Sequence, residues 1–320
     1  MKRTAVIPEI LSLAILSLAI LSVAIWAQAQ TSGQPAQPKP AAAGQAAPAQ
    51  GATPGAAAPT GNRPPQAKST PEFDAYNAAK NLNDPAAMQN AVDDFATKFP
   101  DSELRLLLYK MAMRLCQNAN DAEKTEAMGR KVLGFDENDP EALVIVAEVI
   151  TEKTHDSDLD KDQRYAEAAS MSQKATETVD TDIQVPANTP QDKIDAYKSL
   201  LRSNAYSILG TIEFKKENYA KAEEDLQKSI DAFPSSPDSV VMLRLALALD
   251  KQGKYPEALK VANRTVELTQ DNTPVGTPAR RERDRLQQLT GGAAPVPAPT
   301  PAPTPAPAPA PTQPQAPPKG

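Results

Sequence analysis

The sequence holds one cysteine, Cys116, one histidine, His155, and one tryptophan, Trp26, in 320 residues. A single cysteine excludes an intramolecular disulfide. A single histidine excludes a His-rich metal cluster, and a Cys/His nucleophile pair would need Cys116 and His155 themselves. Cys116 falls in an apolar helical pattern, where a small buried core residue is expected. His155 falls in an acidic stretch, where solvation is expected. There is no glycine-rich phosphate loop and no Gly-x-Ser-x-Gly elbow. Aromatic residues make up only 4% of the chain, and no convincing alternation of apolar and polar residues argues for a strand. Asp and Glu are plentiful, but their positions read as helix surface and caps. The chain is therefore read as all-α and non-catalytic, with an uncharacterised hydrolase as the distant alternative.

The two ends have compositions of their own. Lys2 and Arg3 precede an apolar run from Ile10 to Trp26, and Ala27-Gln28-Ala29 follows. A basic start, an apolar segment and a small-x-small site describe a secretory signal peptide. Residues 1–29 are thus expected to direct export to the periplasm or cell envelope and to be cleaved. Uncleaved, residues 5–26 approach spanning length and would anchor the chain in the inner membrane. Residues 30–70 are Ala, Pro, Gln and Gly with no acid, too poor in apolar surface to offset the entropy of ordering, and read as a disordered linker. Residues 291–320, with the run PAPTPAPAPAP, read as a disordered, polyproline-rich tail. Such a tail suits aromatic grooves, a spacer role or simple solubility.

Between the arms, residues 71–290 are long enough for one domain with a sizeable core. The chain carries 34 basic and 40 acidic residues, a net −6. The arms hold six of the basic residues and only one acid, Glu9, which leaves −11 for the centre. An exported module of that charge is a poor candidate for nucleic acid.

The stretch that organises this centre is Tyr206 to Pro234. Ala222, Leu226, Ser229, Ile230 and Phe233 recur as one helical stripe, and Tyr206, Leu209 and Glu213 mark a face of the helix before it. Gly210 and Ala222 are small where the two helices would cross, and Pro234 stops the hairpin. The pattern resembles the tetratricopeptide repeat, aromatic-x2-Leu-Gly-x2-Tyr, then Ala-x3-Phe, then Pro. Glu213 and Leu226 stand where that pattern has Tyr and Phe. Earlier hairpins are expected over Phe73–Pro100, Leu106–Asp136 and Pro140–Asp180, and a fifth around Met242 to Ala258. The Tyr-x2-Ala step recurs at Tyr165, Tyr219 and Tyr255, and residues 278–290 would form a polar capping helix.

The resemblance implies an antiparallel helix-hairpin solenoid that mediates protein–protein interactions in the cell envelope. It also implies a concave groove lined by the first helix of each repeat. By register, Lys110, Arg114, Asn204, Thr211, Phe214, Lys215, Leu247 and Lys251 would face that groove. Phe214 is expected to be an exposed aromatic anchor there. The competing reading is a membrane-anchored scaffold that recruits partners through its Pro-rich tail. In the third repeat, Asp156, Asp158, Asp160, Asp162 and Glu167 follow the spacing of a calcium loop, but Lys161 occupies the place of its required Gly. The stretch is read as a solvated acidic loop, and no metal or cofactor is expected.

Overall fold

The computed structural model describes residues 65–186 and 188–291. The expected signal segment, most of the linker and nearly all of the Pro-rich tail lie outside those residues. Among the described residues there are eleven helices and no strand. They run α1 (Thr70–Lys80), α2 (Pro85–Lys98), α3 (Leu104–Asn118), α4 (Ala122–Phe135), α5 (Pro140–Lys153) and α6 (Lys161–Thr178). The second half follows as α7 (Gln191–Lys215), α8 (Tyr219–Ala232), α9 (Ser239–Lys251), α10 (Tyr255–Glu267) and α11 (Gly276–Leu289). Each helix packs on the next, so the chain is five consecutive hairpins closed by α11.

Helix starts follow from local chemistry. Asp84, Asp121, Asp139 and Asp238 each accept a hydrogen bond from a backbone N–H of the first turn of α2, α4, α5 and α9. Ser69 caps α1, while the Glu72 carboxylate takes the Lys68 N–H at 2.6 Å. Three of the five hairpin turns carry a left-handed residue: Asn120, Glu217 and Gly253 have φ of 55°, 60° and 76°. Glu217 and Gly253 occupy equivalent places in the fourth and fifth hairpins.

The core is a chain of apolar clusters between successive hairpins. Ala168, Ala222 and Ala258 of the recurring Tyr-x2-Ala step are all fully buried. Their tyrosines are not alike: Tyr165 is buried, Tyr219 half-buried and Tyr255 exposed. The alanine, at the crossing with the first helix, is the position that all three of these hairpins use. Of the capping helix, Ala279 and Leu286 are buried, and Arg285 pairs with Asp250 of α9.

Helix α7 departs from expectation. Leu201, Ala205, Ile208 and Ile212 form a buried stripe, of which Ala205, Ile208 and Ile212 join a cluster with residues of α5 and α6. A second stripe faces α8. Ser203 donates to the Ser229 carbonyl at 2.8 Å, Tyr206 lies under Lys228, and Gly210 abuts Leu226. This stripe ends at Phe214, half-buried at 5.4 Å from the Tyr219 ring and packed on the cluster of α8, α9 and α10. The contact face runs through residues 203, 206, 210 and 214, not 206, 209 and 213. Because α7 is covered on both sides, the exposed aromatic expected at 214 is corrected to a packed one.

Candidate functional site

The first helices of the last three hairpins, α5, α7 and α9, lie side by side. Between them is a pocket of about 30 Å³, lined by Glu148, Thr151 and Glu152 of α5, Ser207, Ile208 and Thr211 of α7, and Arg244 of α9. That is room for the end of a side chain and not for a small organic molecule. A wider depression of about 550 Å³ lies at the other end, between the 65–70 segment and Phe73, Tyr76, Leu104 and Leu107.

Charge on the face of the first helices divides into a closed part and an open part. The closed part joins α3 to α5. Lys110 Nζ donates to Asp139 Oδ2 at 2.5 Å, and Arg114 grips Glu141 through Nε and Nη2, both at 2.5 Å. Burial pushes the Asp139 carboxyl up despite Lys110 beside it. Burial would do the same to Glu141, but Arg114 and Lys110 overcome it and hold that carboxyl below its ordinary value. Tyr197 of α7 closes the cluster, and burial drives its phenol well above the ordinary value. Two cations and two carboxylates neutralise one another here.

The open part is the pocket. Arg244 is buried, and Nη1 donates to Thr211 Oγ1 at 2.8 Å. Among the described residues it makes no ion pair, and neither do Glu148 and Glu152. Burial lifts the Glu152 carboxyl to about 7, opposed by the charges of Arg244 and Lys215. Burial lifts Glu148 well above its ordinary value, with Glu152 and Asp238 adding to the effect. Burial in turn lowers the Arg244 guanidinium from its ordinary value.

The residues anticipated from the repeat register fall in different surroundings. Lys110 and Arg114 belong to the closed cluster. Thr211 lines the pocket, buried, and donates to the Ser207 carbonyl at 2.7 Å. Lys215 turns to the end of α5, giving its ammonium to the Thr151 and Thr154 carbonyls at 2.6 and 3.2 Å. Burial pushes that ammonium down to about 8, and nearby Arg244 adds to the effect. Asn204 and Leu247 are half-buried and Lys251 exposed, while Phe214 packs between α7 and α8. Register reasoning did not name Glu148, Glu152, Ser207 or Arg244. The signal was available: Glu148 interrupts the apolar run ALVIVAEVI, and Arg244 interrupts VVMLRLALAL, where a lone charge demands an explanation.

In the loop between α5 and α6, Asp158 accepts the His155 N–H at 2.9 Å and pairs with Arg164 at 3.7 Å, while Glu167 pairs with Arg130 across the hairpins. No group of three or more His, Cys, Asp or Glu side chains among the described residues is arranged to hold a metal ion. Cys116 is buried in the first core cluster, where burial raises its thiol, and His155 is exposed. No helix among the described residues is long and apolar enough to cross a membrane.

Residues 201–271 match the family described as Tetratricopeptide repeat, so that stretch of the chain carries repeats of this family. That stretch takes in most of α7 with α8, α9 and α10, the last two hairpins of the fold. Among solved structures, the chain is similar to the MamA protein, with 16% identity over 71% of this chain and 97% of that one and a TM-score of 0.44. It is also similar to a thermophilic TPR protein of Thermus thermophilus, with 14% identity over 68% and 98% of the two chains and a TM-score of 0.37. No curated protein matches the sequence. Domains of this class generally bind protein partners.

Proposed function

We propose that the chain is a non-catalytic scaffold that captures a protein partner along the face of α5, α7 and α9, after export to the periplasm or cell envelope. The observation that carries this reading is the pocket where three successive first helices meet. Its hydroxyls and charges are unpaired or only partly used, whereas the neighbouring cluster of Lys110, Arg114, Asp139 and Glu141 is fully paired. Polar groups held half-dry without partners favour a ligand that supplies them. Export is supported by Lys2, Arg3, the apolar run to Trp26 and Ala27-Gln28-Ala29.

Capture from an envelope extract of the source cells by the full chain, by Ser207→Trp and by a chain ending at 291 tests the reading. Loss of the same partner with Ser207→Trp and its retention without the tail are expected. The reverse pattern would transfer recruitment to the Pro-rich tail. Cleavage after Ala29 removes the sole tryptophan, so the mature protein should show no tryptophan emission. Intact mass and fluorescence of the protein from its source cells check this, and a retained Trp26 would favour the membrane anchor.

A further inference from the structure

The pocket between α5, α7 and α9 has an imbalance of charge that narrows the partner's chemistry. Glu148 and Glu152 stand four residues apart on α5, so both project from one face into it. A third carboxylate, Asp238, caps α9 nearby and contributes to the field on Glu148. Against these three acids the pocket itself offers a single cation. Arg244, only 9% exposed, is tied to Thr211, with further N–H donors that have no partner among the described residues. Lys215 gives its ammonium to the carbonyls at the end of α5, where Asp156 and Glu152 both act on it. Nothing basic faces Glu148.

We propose that this pocket seats the basic side chain of a lysine or arginine, carried by an extended segment of the partner, between Glu148 and Glu152. The inference rests on the reading of this face as a partner-binding groove. An acidic side chain or a chain-terminal carboxylate would keep Glu148 and Glu152 protonated and meet Asp238, with Arg244 and Lys215 as the cations acting on the site. A basic side chain supplies the missing counter-charge. The free donors of Arg244 and the Ser207 hydroxyl are then placed for backbone carbonyls of the same segment, since an extended chain offers a carbonyl beside every side chain. A pocket of about 30 Å³ fits the tip of such a side chain.

Seating a cation there has a proton signature. Burial lifts both carboxyls, Glu152 to about 7 and Glu148 well above its ordinary value, so the empty pocket holds protons at neutral pH. An arriving cation favours the ionised forms and expels those protons. Capture therefore strengthens as pH rises, by about tenfold between pH 6 and pH 8 if a single proton is released through that range.

The test is fluorescence anisotropy with the full chain and capped decapeptides (Ala-Lys)5, (Ala-Gln)5 and (Ala-Glu)5 at 150 mM salt and pH 6, 7 and 8. The lysine peptide should bind at least tenfold tighter than the other two, and tightest at pH 8. Glu148→Gln/Glu152→Gln should remove both the preference and the pH dependence. Glu177→Gln/Glu257→Gln, which removes the same charge from exposed positions, should leave both in place. Lysine-peptide binding that persists in Glu148→Gln/Glu152→Gln but is lost in Ser207→Trp overturns the inference and keeps the groove reading. Binding indifferent to all three variants overturns both. Absence of lysine-peptide binding, or preference for the glutamate peptide, overturns the inference alone.

Discussion

Gly210 lies so close to Leu226 that a β-carbon on the glycine would stand 2.6 Å from the leucine Cγ and 2.9 Å from its backbone nitrogen. The second distance matters more, because a side chain can rotate away and a backbone nitrogen in mid-helix cannot. Gly210→Ala should therefore push α7 and α8 apart and destabilise the fold by roughly 1–3 kcal/mol. Leu226→Ala, which empties a fully buried site, should cost roughly 2–5 kcal/mol. The double variant should lose less than the sum, since the shortened side chain removes the contact with Cγ while the one with the backbone nitrogen stays. Thermal melts of the three variants check this, and strict additivity would place the whole clash at the backbone nitrogen.

Glu217 holds a left-handed backbone where the next hairpin has Gly253. A side chain costs roughly 1–2 kcal/mol in that conformation. Glu217→Gly should then raise the melting temperature, although the greater freedom of glycine in the unfolded chain offsets part of the gain. Gly253→Ala should lower it, even though no atom lies within 4 Å of the new methyl. Opposite signs at equivalent turns are the expected result. A fall for both would place the strain elsewhere.

How much of this was legible beforehand depended on which residues face one neighbour and which face two. The second helices have a single packed stripe, so periodicity found Ala222, Leu226, Ala258 and the capping helix. Helix α5 is apolar almost all round, and its four named core positions, Leu143, Val146, Ala147 and Ile150, are all buried. Helix α7 lies between two neighbours and has two stripes, and the sequence does not say which contact each one serves. Phe214 therefore reads as open surface in the sequence, although it is packed in the fold. Lys110 and Arg114 were named from register alone, which cannot reveal that Asp139 and Glu141, 27 to 29 residues later, neutralise them.

Asp139 serves two purposes, and substitutions can separate them. It caps α5 through the Ala142 N–H at 2.9 Å and balances Lys110 at 2.5 Å, with no exposure to water. Asp139→Asn keeps a capping oxygen and removes the charge, while Asp139→Ala removes both. The alanine variant should be the less stable by about 1 kcal/mol. Lys110→Met leaves Asp139 buried without its cation and should cost roughly 3–5 kcal/mol at pH 8. Chemical denaturation at that pH gives the order; equal losses for Asn and Ala would show that the cap contributes nothing.

The raised carboxyls of Glu148 and Glu152 also bear on stability. Both have higher pKa values in the fold than in the unfolded chain. Their contribution is fully present below the unfolded value, near 4.5, and is lost as pH rises through the raised folded values, about 7 for Glu152. The unliganded protein should thus melt lower at pH 8 than at pH 6, other groups held equal. Glu148→Gln/Glu152→Gln should recover roughly 1–3 kcal/mol at pH 8 and much less at pH 5. A gain independent of pH would mean that the two carboxyls titrate normally.

The length of α7 bears on how this chain could be cut and recombined. At the 36-residue spacing that relates Tyr219 to Tyr255, the residue corresponding to Ser239, the start of α9, is Ser203. Helix α7 nevertheless begins twelve positions earlier, at Gln191. The added turns seat Tyr197 and Leu201 in a small cluster with Val179, Ile183 and Val185. The family match, beginning at 201, therefore starts inside a helix and not at a joint. A graft of the last two hairpins onto another solenoid would have to begin at Gln191 and bring a surrogate for Val179, Ile183 and Val185. Cut at 201 or 203, the donor would lose part of a helix and the recipient would inherit a frayed edge.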